Sequence, residues 1–417
     1  ASTRGQNTGL GYQAGYNVTT GWKSTMIGFR AGYNVTTGFY NTMVGDSAGY
    51  NTNTGAYNDV LGYGALYSNT NGNYNVAIGN DAMYYATSPD HCVAIGSATL
   101  WRGYNAQYTT VIGRNAGQNT SGSYNTFVGG DAGKGGTTSA PYSSGQYNVA
   151  LGYRALDAFT TGGSNVAIGS DAAGAITTGA DNIVIGRYAA LGLTDGVKNV
   201  IVGNSAGENL STNTHYNVMV GYQAGEQADG ATTAATNNAY IGYQAGRYMD
   251  DGQSNIAIGY QPMYGNTSEG NSGHELIAIG YQALYNVTDA DNNIAIGYQA
   301  GYSLTTARYN VLIGDQAGYS LGTSSESNEN VMIGNSAGKF ADAATNAAHY
   351  NVYIGSNAGT YMDDGDSNVY IGRDAGKGSG TGNNATANIL IGYQAGTAIS
   401  TGDAETAVGY QAAYTVT

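Results

Sequence analysis

Carboxylates and histidines are the side chains in this sequence that could catalyse a reaction or hold a metal ion. The closest carboxylates form two clusters in corresponding segments: Asp250 and Asp251, then Asp363, Asp364 and Asp366. Such pairs can bind Ca²⁺ or act as general acid and base, but their spacing does not match an EF-hand loop. We therefore interpret both clusters as solvated turns and keep them as weak candidates for a metal site.

The other reactive residue types give no catalytic constellation. Histidines occur between the repeated segments, where we predict solvated loops: His91, His215, His274 and His349. The lone Cys92 excludes an intrachain disulfide and a cysteine-based zinc site. A glycine-rich string at 376–380 lacks the Gly-Lys-Ser/Thr ending of a phosphate loop. The sequence thus predicts a protein that is not an enzyme and needs no cofactor.

The composition is biased towards glycine and tyrosine. There are 67 Gly and 38 Tyr but only 3 Pro, and charged residues make up 10% of the chain, whereas an average chain has about 7% Gly and about 25% charge. A net charge of −14 with 14 scattered basic residues argues against nucleic-acid binding. No apolar run is long enough to predict a membrane span.

One short repeat organises the whole chain. A glycine preceded by Ile, Val or Leu recurs 23 times, mostly every 17 residues, from Gly11 to Gly409. The residue two positions before that aliphatic residue is Val, Ile or Thr in 21 copies. The residue between the two varies from copy to copy. Alternation with period two is typical of a β-strand. In each copy we therefore predict a short strand, with Val76 and Ile78 facing the core and Ala77 facing outward.

The remaining repeat positions predict turns and a polar ladder. The glycine ends the strand at a backbone turn with positive φ, and Ala three residues later in 21 copies predicts a closely packed corner. Asn precedes the strand in 18 copies, which suits a turn and would let stacked coils bond amide to amide. The predicted structural ladder includes Asn41, Asn75, Asn165, Asn217, Asn255, Asn310 and Asn351.

These patterns predict an all-β fold: a β-solenoid or β-roll of about 23 coils with a 17-residue period. We expect one solenoid over 1–417, with regular coils in 1–129, mostly regular coils and one long insertion in 130–213, and frequent corner insertions in 214–417. Each coil buries few large side chains, which is little to offset the conformational entropy lost when its residues become ordered. We therefore predict lateral association, as a homotrimer. Neither terminus carries a capping pattern, which leaves end-to-end self-assembly as an alternative.

The Asn-Val-Ala-Ile-Gly-Tyr-Gln-Ala-Gly type of unit resembles repeats of phage tail-fibre proteins and bacterial surface fibres. Many of those end in an intramolecular chaperone of the endosialidase type, which trims itself off after trimerisation. The unit is more loosely similar to the Asn-Ser-Val-Ala-Ile-Gly repeat of trimeric autotransporter adhesin heads, which form left-handed β-rolls of shorter period. The likeness runs from Asn7 to Ala412 without a recognisable chaperone segment. It implies an extracellular homotrimeric fibre on a virion tail or a bacterial cell surface.

We therefore expect a non-catalytic structural or adhesive fibre that contacts a host-surface glycan or protein receptor. An end-to-end extracellular filament and a glycan-binding solenoid module are the alternatives. Ice binding is disfavoured because the paired threonines at 36–37 fade after the early coils. Tyrosines that follow the strand glycine form regular columns, and these rings either stabilise the fold or face a ligand: Tyr222, Tyr243, Tyr260, Tyr281, Tyr298 and Tyr393.

Overall fold

A computed structural model of the chain describes residues 5–228, 235–265, 271–322, 327–341, 348–363, 365–378, 383–399 and 401–414. The protein is all-β, with 23 strands of three residues each and no helix among the described residues. Accordingly, the described chain contains no helix of the length and apolarity that a membrane crossing requires. The fold is the predicted β-solenoid, with about 17 residues per turn.

The chain divides into two compact units, a first unit of Ala1–Asn204 and a second unit of Ser205–Thr417. The strands of the first unit are β1 Thr8–Leu10, β2 Thr25–Ile27, β3 Thr42–Val44, β4 Asp59–Leu61, β5 Val76–Ile78, β6 Val93–Ile95, β7 Thr110–Ile112, β8 Thr126–Val128, β9 Val149–Leu151, β10 Val166–Ile168, β11 Ile183–Ile185 and β12 Val200–Val202. Those of the second unit are β13 Val218–Val220, β14 Ala239–Ile241, β15 Ile256–Ile258, β16 Ile277–Ile279, β17 Ile294–Ile296, β18 Val311–Ile313, β19 Val331–Ile333, β20 Val352–Ile354, β21 Val369–Ile371, β22 Ile389–Ile391 and β23 Thr406–Val408. The sequence-based boundaries at 129/130 and 213/214 stay predictions.

Within each unit, consecutive strands pair in parallel without a change of register. Ala77 of β5 lies opposite Ala94 of β6, one coil further along the chain. The register also holds from β8 to β9, where Phe127 lies opposite Ala150 across the longest spacing in the repeat. The extra residues of that coil are therefore absorbed in its loop, as the sequence predicted. Several of the other insertions, such as those at 229–234 and 342–347, lie outside the described residues.

The glycine at the end of each strand is required by a close approach between coils. Gly28 has a φ of +137°, a conformation that side chains disfavour. A Cβ built on Gly28 would lie 2.3 Å from the carbonyl oxygen of Gly45 in the next coil. This contact repeats from coil to coil and explains why the repeat tolerates no other residue here.

The predicted inward face of the strand is wrong. Val76 and Ile78 are only partly buried, whereas Ala77 between them has no exposed surface. In β2 to β23 it is the middle residue of the strand that is buried. The aliphatic residues on both sides of it therefore point outward. Alternation correctly defined two faces, but the variable residue, not the aliphatic pair, faces the core.

The variable core position is matched in size by a second residue of the same coil. Where the strand carries Tyr240, the corner residue six positions later is Gly246, and a Cβ there would lie 2.6 Å from the tyrosine ring. Where the strand carries Ala77, the same corner position is Met83, which is fully buried. Both corner residues have φ near +60°. In these two coils a large and a small side chain thus exchange places, which keeps the core filled in both.

A ladder of buried asparagines joins the coils. The backbone N–H and the side-chain Nδ2 of Asn58 both donate to Oδ1 of Asn41 at 3.0 Å, and Nδ2 also donates to the Gly72 carbonyl. Asn75 bonds to Oδ1 of Asn58 in the same way. Each amide therefore satisfies buried polar groups in neighbouring coils. All the predicted ladder asparagines hydrogen-bond to an adjacent coil: Asn41, Asn75, Asn165, Asn217, Asn255, Asn310 and Asn351.

Candidate functional site

The first and third residues of every strand in a unit form what we call the outer sheet face. The third residue is always Ile, Val or Leu, whereas the first is Thr in five strands of the first unit and in one of the second. Asp59 is the single charged residue in these two columns. Ile183 is 42% exposed, and Leu151 is 47% exposed. The most exposed aliphatic members are Leu10, Leu61, Ile112, Val149, Leu151 and Ile183 in the first unit, and Val218, Ile241, Ile256, Ile258, Ile389, Ile391 and Val408 in the second. Each unit thus carries an apolar strip along its strands.

In the first unit a continuous aromatic stack precedes the strands. Its rings belong to the residue immediately before each ladder position, and we call it the pre-strand column: Tyr40, Tyr57, Tyr74, His91, Tyr108, Tyr124 and Tyr147. Successive ring centroids lie 4.7–5.4 Å apart, with near-parallel planes. The sequence analysis missed this column, although tyrosine recurs in it at the 17-residue period.

In the second unit the corresponding stack follows the strands. This post-strand column consists of five of the predicted ligand-facing tyrosines, whose centroids lie 4.9–5.5 Å apart: Tyr222, Tyr243, Tyr260, Tyr281 and Tyr298. The sixth, Tyr393, stacks on Tyr410 at 5.3 Å. Because neighbouring rings cover each other's faces, the column presents ring edges and hydroxyls outward. Glycan binding by these tyrosines stays a prediction, and it would have to use those edges and hydroxyls.

A third kind of stack, the corner column, lies five residues after the strand glycine. In the first unit it contains Tyr16, Tyr33, Tyr50, Tyr67 and Tyr84, with centroids 4.8–5.3 Å apart. In the second unit it contains Tyr264, Tyr285, Tyr302 and Tyr319. Burial, followed by the neighbouring Tyr50 phenol, raises the pKa of Tyr67, and burial likewise raises the pKa of Tyr285. These hydroxyls therefore stay protonated at neutral pH.

Beside the corner column of the first unit runs a polar groove with a volume of about 510 Å³. Eight side chains from four consecutive coils line it, and none of them is charged: Asn17, Thr19, Asn34, Thr36, Asn51, Asn53, Ser68 and Thr70. Sequence reasoning did not identify this groove. The recurrence of Asn-Val-Thr-Thr at 17–20 and 34–37 was the signal for it.

The candidate carboxylates that the structure describes do not belong to a metal-binding cluster of three or more such side chains. Asp251 donates its backbone N–H to the Asn271 carbonyl, and Asp363 is buried. A carboxylate oxygen of Asp366 accepts the backbone N–H of His349 at 2.7 Å. Asp364 lies outside the described residues. Over the described part of the chain, no three His, Cys, Asp or Glu side chains are grouped closely enough to hold a metal ion.

The histidines lie between the strands and are exposed or half-buried, as predicted, and they also contact neighbouring coils. His91 stacks between Tyr74 and Tyr108 at 4.7 and 4.9 Å. Nδ1 of His274 accepts the backbone N–H of Gln253, and Nδ1 of His349 accepts that of Asn328. His215 forms a β-bridge with the next coil. Their contacts thus join neighbouring coils, which is a structural role.

Cys92 occupies a ladder position in place of asparagine. Its backbone N–H bonds to Oδ1 of Asn75, and its thiol donates to the Ala106 carbonyl at 3.2 Å. Burial raises the pKa of the Cys92 thiol to about 11. The group is therefore protonated at neutral pH and is a poor nucleophile.

No family model matches the chain, and no curated protein matches it at a significant level of similarity. Functional inference therefore depends on the surfaces just described. The most extensive of these are the outer sheet face and the aromatic columns beside it, followed by the polar groove of the first unit.

Proposed function

We propose that this protein is a non-catalytic structural and adhesive fibre whose chains associate side by side as a homotrimer. The outer sheet face carries the proposal, because its third-residue column is aliphatic in every strand, its first-residue column is aliphatic in most strands, and many of these side chains remain exposed in the single chain. The resemblance of the repeat to phage tail-fibre and bacterial surface-fibre units supports an extracellular place, on a virion tail or a cell surface, where the fibre contacts a host receptor.

The size of the outer sheet face supports burial against a partner. Twelve strands about 4.8 Å apart, each exposing a strip about 10 Å wide, give roughly 550 Å² in the first unit. This area includes five Thr and Asp59 beside the aliphatic residues, and largely apolar faces of this extent are often interaction surfaces. The adjoining pre-strand column widens the strip towards the ~800 Å² per partner of a standard protein interface.

The regularity of the face favours a second copy of this chain as the partner. Apolar ridges recur with every strand, so a surface that interdigitates with them over many coils must have the same spacing. An identical solenoid meets that requirement, and symmetric self-association is the usual form of soluble oligomers. The near absence of charge from the face removes the repulsion that a chain of net charge −14 would otherwise bring to self-contact.

The native mass in solution tests the proposal. Light scattering on the purified chain should give close to three times the chain mass of 42.8 kDa. Replacing Ile168 and Ile185 together by Lys places two charges in the outer sheet face and should lower the mass to that of one chain. Replacing Thr161 and Thr178 by Lys adds the same charges at exposed positions of the same coils, and the mass should not change.

Two results would contradict the proposal. A single-chain mass for the unmodified protein would mean that the outer sheet face stays solvated. Open-ended polymers, visible as long filaments in electron micrographs, would instead support the extracellular filament that assembles end to end.

A further inference from the structure

The polar groove of the first unit combines two columns of complementary hydrogen-bonding groups. In the first column, Nδ2 of Asn17 donates to Oδ1 of Asn34 at 2.7 Å, and Nδ2 of Asn34 donates to Oδ1 of Asn51 at 2.8 Å. An amide nitrogen carries two N–H groups, and Asn17 and Asn34 each use one of them in this column. The second N–H of each amide has no partner among the described protein groups and is left for a ligand.

The second column contains three hydroxyls that have already used their protons, with Asn53 at the equivalent position of the third coil, where its Oδ1 contacts the Thr36 hydroxyl. Oγ1 of Thr19 donates to the Thr36 carbonyl at 3.0 Å, Oγ1 of Thr36 donates to the Asn53 carbonyl at 3.2 Å, and Oγ1 of Thr70 donates to the Thr87 carbonyl at 3.1 Å. Each oxygen keeps lone pairs that accept hydrogen bonds. The groove therefore offers amide donors from three coils in the first column and hydroxyl acceptors from three coils in the second, with Ser68 completing the first column and Asn53 interrupting the second, at a coil spacing of about 4.8 Å.

The groove is closed to an added peptide strand. A strand would need unpaired backbone groups along the groove wall. Here the backbone N–H groups of Thr19 and Thr36 already bond to carbonyls of the next coil, at 3.0 Å in both cases. Ligand recognition must therefore come from the side chains.

The chemistry of the lining selects the ligand class. None of the eight side chains is charged, so the groove has no group to pair with a phosphate, sulfate or carboxylate. The hydroxyl groups of a polyol both donate and accept hydrogen bonds, so a polyol can pair with the donors of one column and the acceptors of the other. A ligand that does so over four consecutive coils must repeat along its length. We propose that this groove binds an extended, neutral glycan chain that lies across the coils.

The corner column borders the proposed site. Tyr16, Tyr33 and Tyr50 directly precede the three asparagines of the first groove column in the chain and stack at 5.1–5.3 Å. The faces of Tyr33 are covered by its two neighbours, so its ring edge and hydroxyl remain for contact, whereas Tyr16 stacks on one side only among the described residues and is 63% exposed. The groove uses other residues than the outer sheet face, so glycan binding and self-association are independent and can fail separately.

Isothermal titration calorimetry on the full chain tests the proposal, with cellohexaose and laminarihexaose as neutral probes and a heparin hexasaccharide as the acidic probe. We expect at least one neutral probe to bind and heparin not to bind. Asn34→Leu removes an amide at similar volume, and Thr70→Val removes a hydroxyl two coils away. Each should weaken binding by about tenfold, the effect of one lost hydrogen bond.

Thr177→Val is the matched control. Oγ1 of Thr177 donates to the Thr194 carbonyl at 3.2 Å, as the groove threonines do, but Ala175 stands where the groove has asparagine. This change should leave binding intact, and all three variants should keep the native mass and circular dichroism of the parent. Absence of binding by both neutral probes would overturn the proposal. So would tighter binding of heparin, or an equal loss of affinity in Thr177→Val.

Discussion

The two units share one strand repeat and a corner column, but they place their other aromatic stack on opposite sides of the strands. In the first unit the stack precedes the strands, from Tyr40 to Tyr147, and in the second it follows them, from Tyr222 to Tyr298. A ladder of glutamines accompanies the stack of the second unit, with amide contacts of 2.7–3.2 Å from Gln223 to Gln316. The backbone path therefore allows a side-chain ladder either before or after the strands. The ladder forms on the side where the same residue type recurs in successive coils.

The units also differ inside. The largest buried strand residue of the first unit is Phe127, whereas the second unit buries Tyr240, Tyr353 and Tyr370. The hydroxyls of these tyrosines have no partner at hydrogen-bonding geometry in the described chain. The second unit thus has titratable tyrosines at the middle position of three strands, whereas the first unit has no titratable residue at that position.

Alkaline pH should separate the two units most strongly. Tyrosine in an unfolded chain ionises near pH 10, whereas burial raises the pKa of Tyr240, Tyr353 and Tyr370 in the folded protein. Their contribution to stability is complete below about pH 10 and is lost as the pH rises, by up to about 4 kcal/mol per pH unit for the three. Both tryptophans, Trp22 and Trp101, lie in the first unit. We expect circular dichroism to change at a lower pH than tryptophan fluorescence.

Replacing all three buried tyrosines by Phe is the control for this titration. The variant removes the ionising groups and keeps the rings, so the two signals should then change together. If they already coincide in the unmodified protein, the core tyrosines do not distinguish the units.

Exchanging core pairs between the units should have the next largest effect. Tyr240→Ala alone leaves a cavity and should cost about 3–5 kcal/mol, and Gly246→Met alone should cost about 1–3 kcal/mol by overpacking against Tyr240. The double variant installs the Ala77–Met83 arrangement of the first unit and should return to within about 1 kcal/mol of the parent. Urea unfolding followed by circular dichroism measures all three. Costs that simply add in the double variant would show that the two positions do not share core volume.

Removing one ring from the pre-strand column should have the smallest effect. Tyr74 stacks on Tyr57 and His91 at 4.8 and 4.7 Å, so Tyr74→Ser should cost about 1–2 kcal/mol of unfolding free energy. Tyr309 holds the same repeat position in the second unit without a stacked neighbour in the described chain, and Tyr309→Ser should stay within about 0.5 kcal/mol. Equal losses in the two variants, measured by urea unfolding, would mean that stacking adds nothing beyond the burial of a single ring.

The sequence alone determined the period, the strand positions and the residues of the turns. These features follow from requirements at single positions. Position 28 is glycine because its φ is positive, and position 58 is asparagine because its side chain must hydrogen-bond to neighbouring coils. Because one coil stacks on the next, a residue type that recurs every 17 residues forms a column of equivalent side chains. The asparagine ladder could therefore be predicted residue by residue, and the insertions could be assigned to loops.

The tertiary structure decided which strand face is inside and which surfaces remain outside. Alternation shows that a strand has two faces but not which of them is buried. The aliphatic pair of Val76 and Ile78 suggested the wrong face as the buried one. The deciding signal was the exchange of volume between position pairs such as Tyr240 with Gly246, since only residues in contact must compensate each other's size. Likewise, tyrosine recurrence predicted columns, but only the geometry showed that stacked rings cover each other's faces. The groove depends on four coils in register, so no single repeat could reveal it.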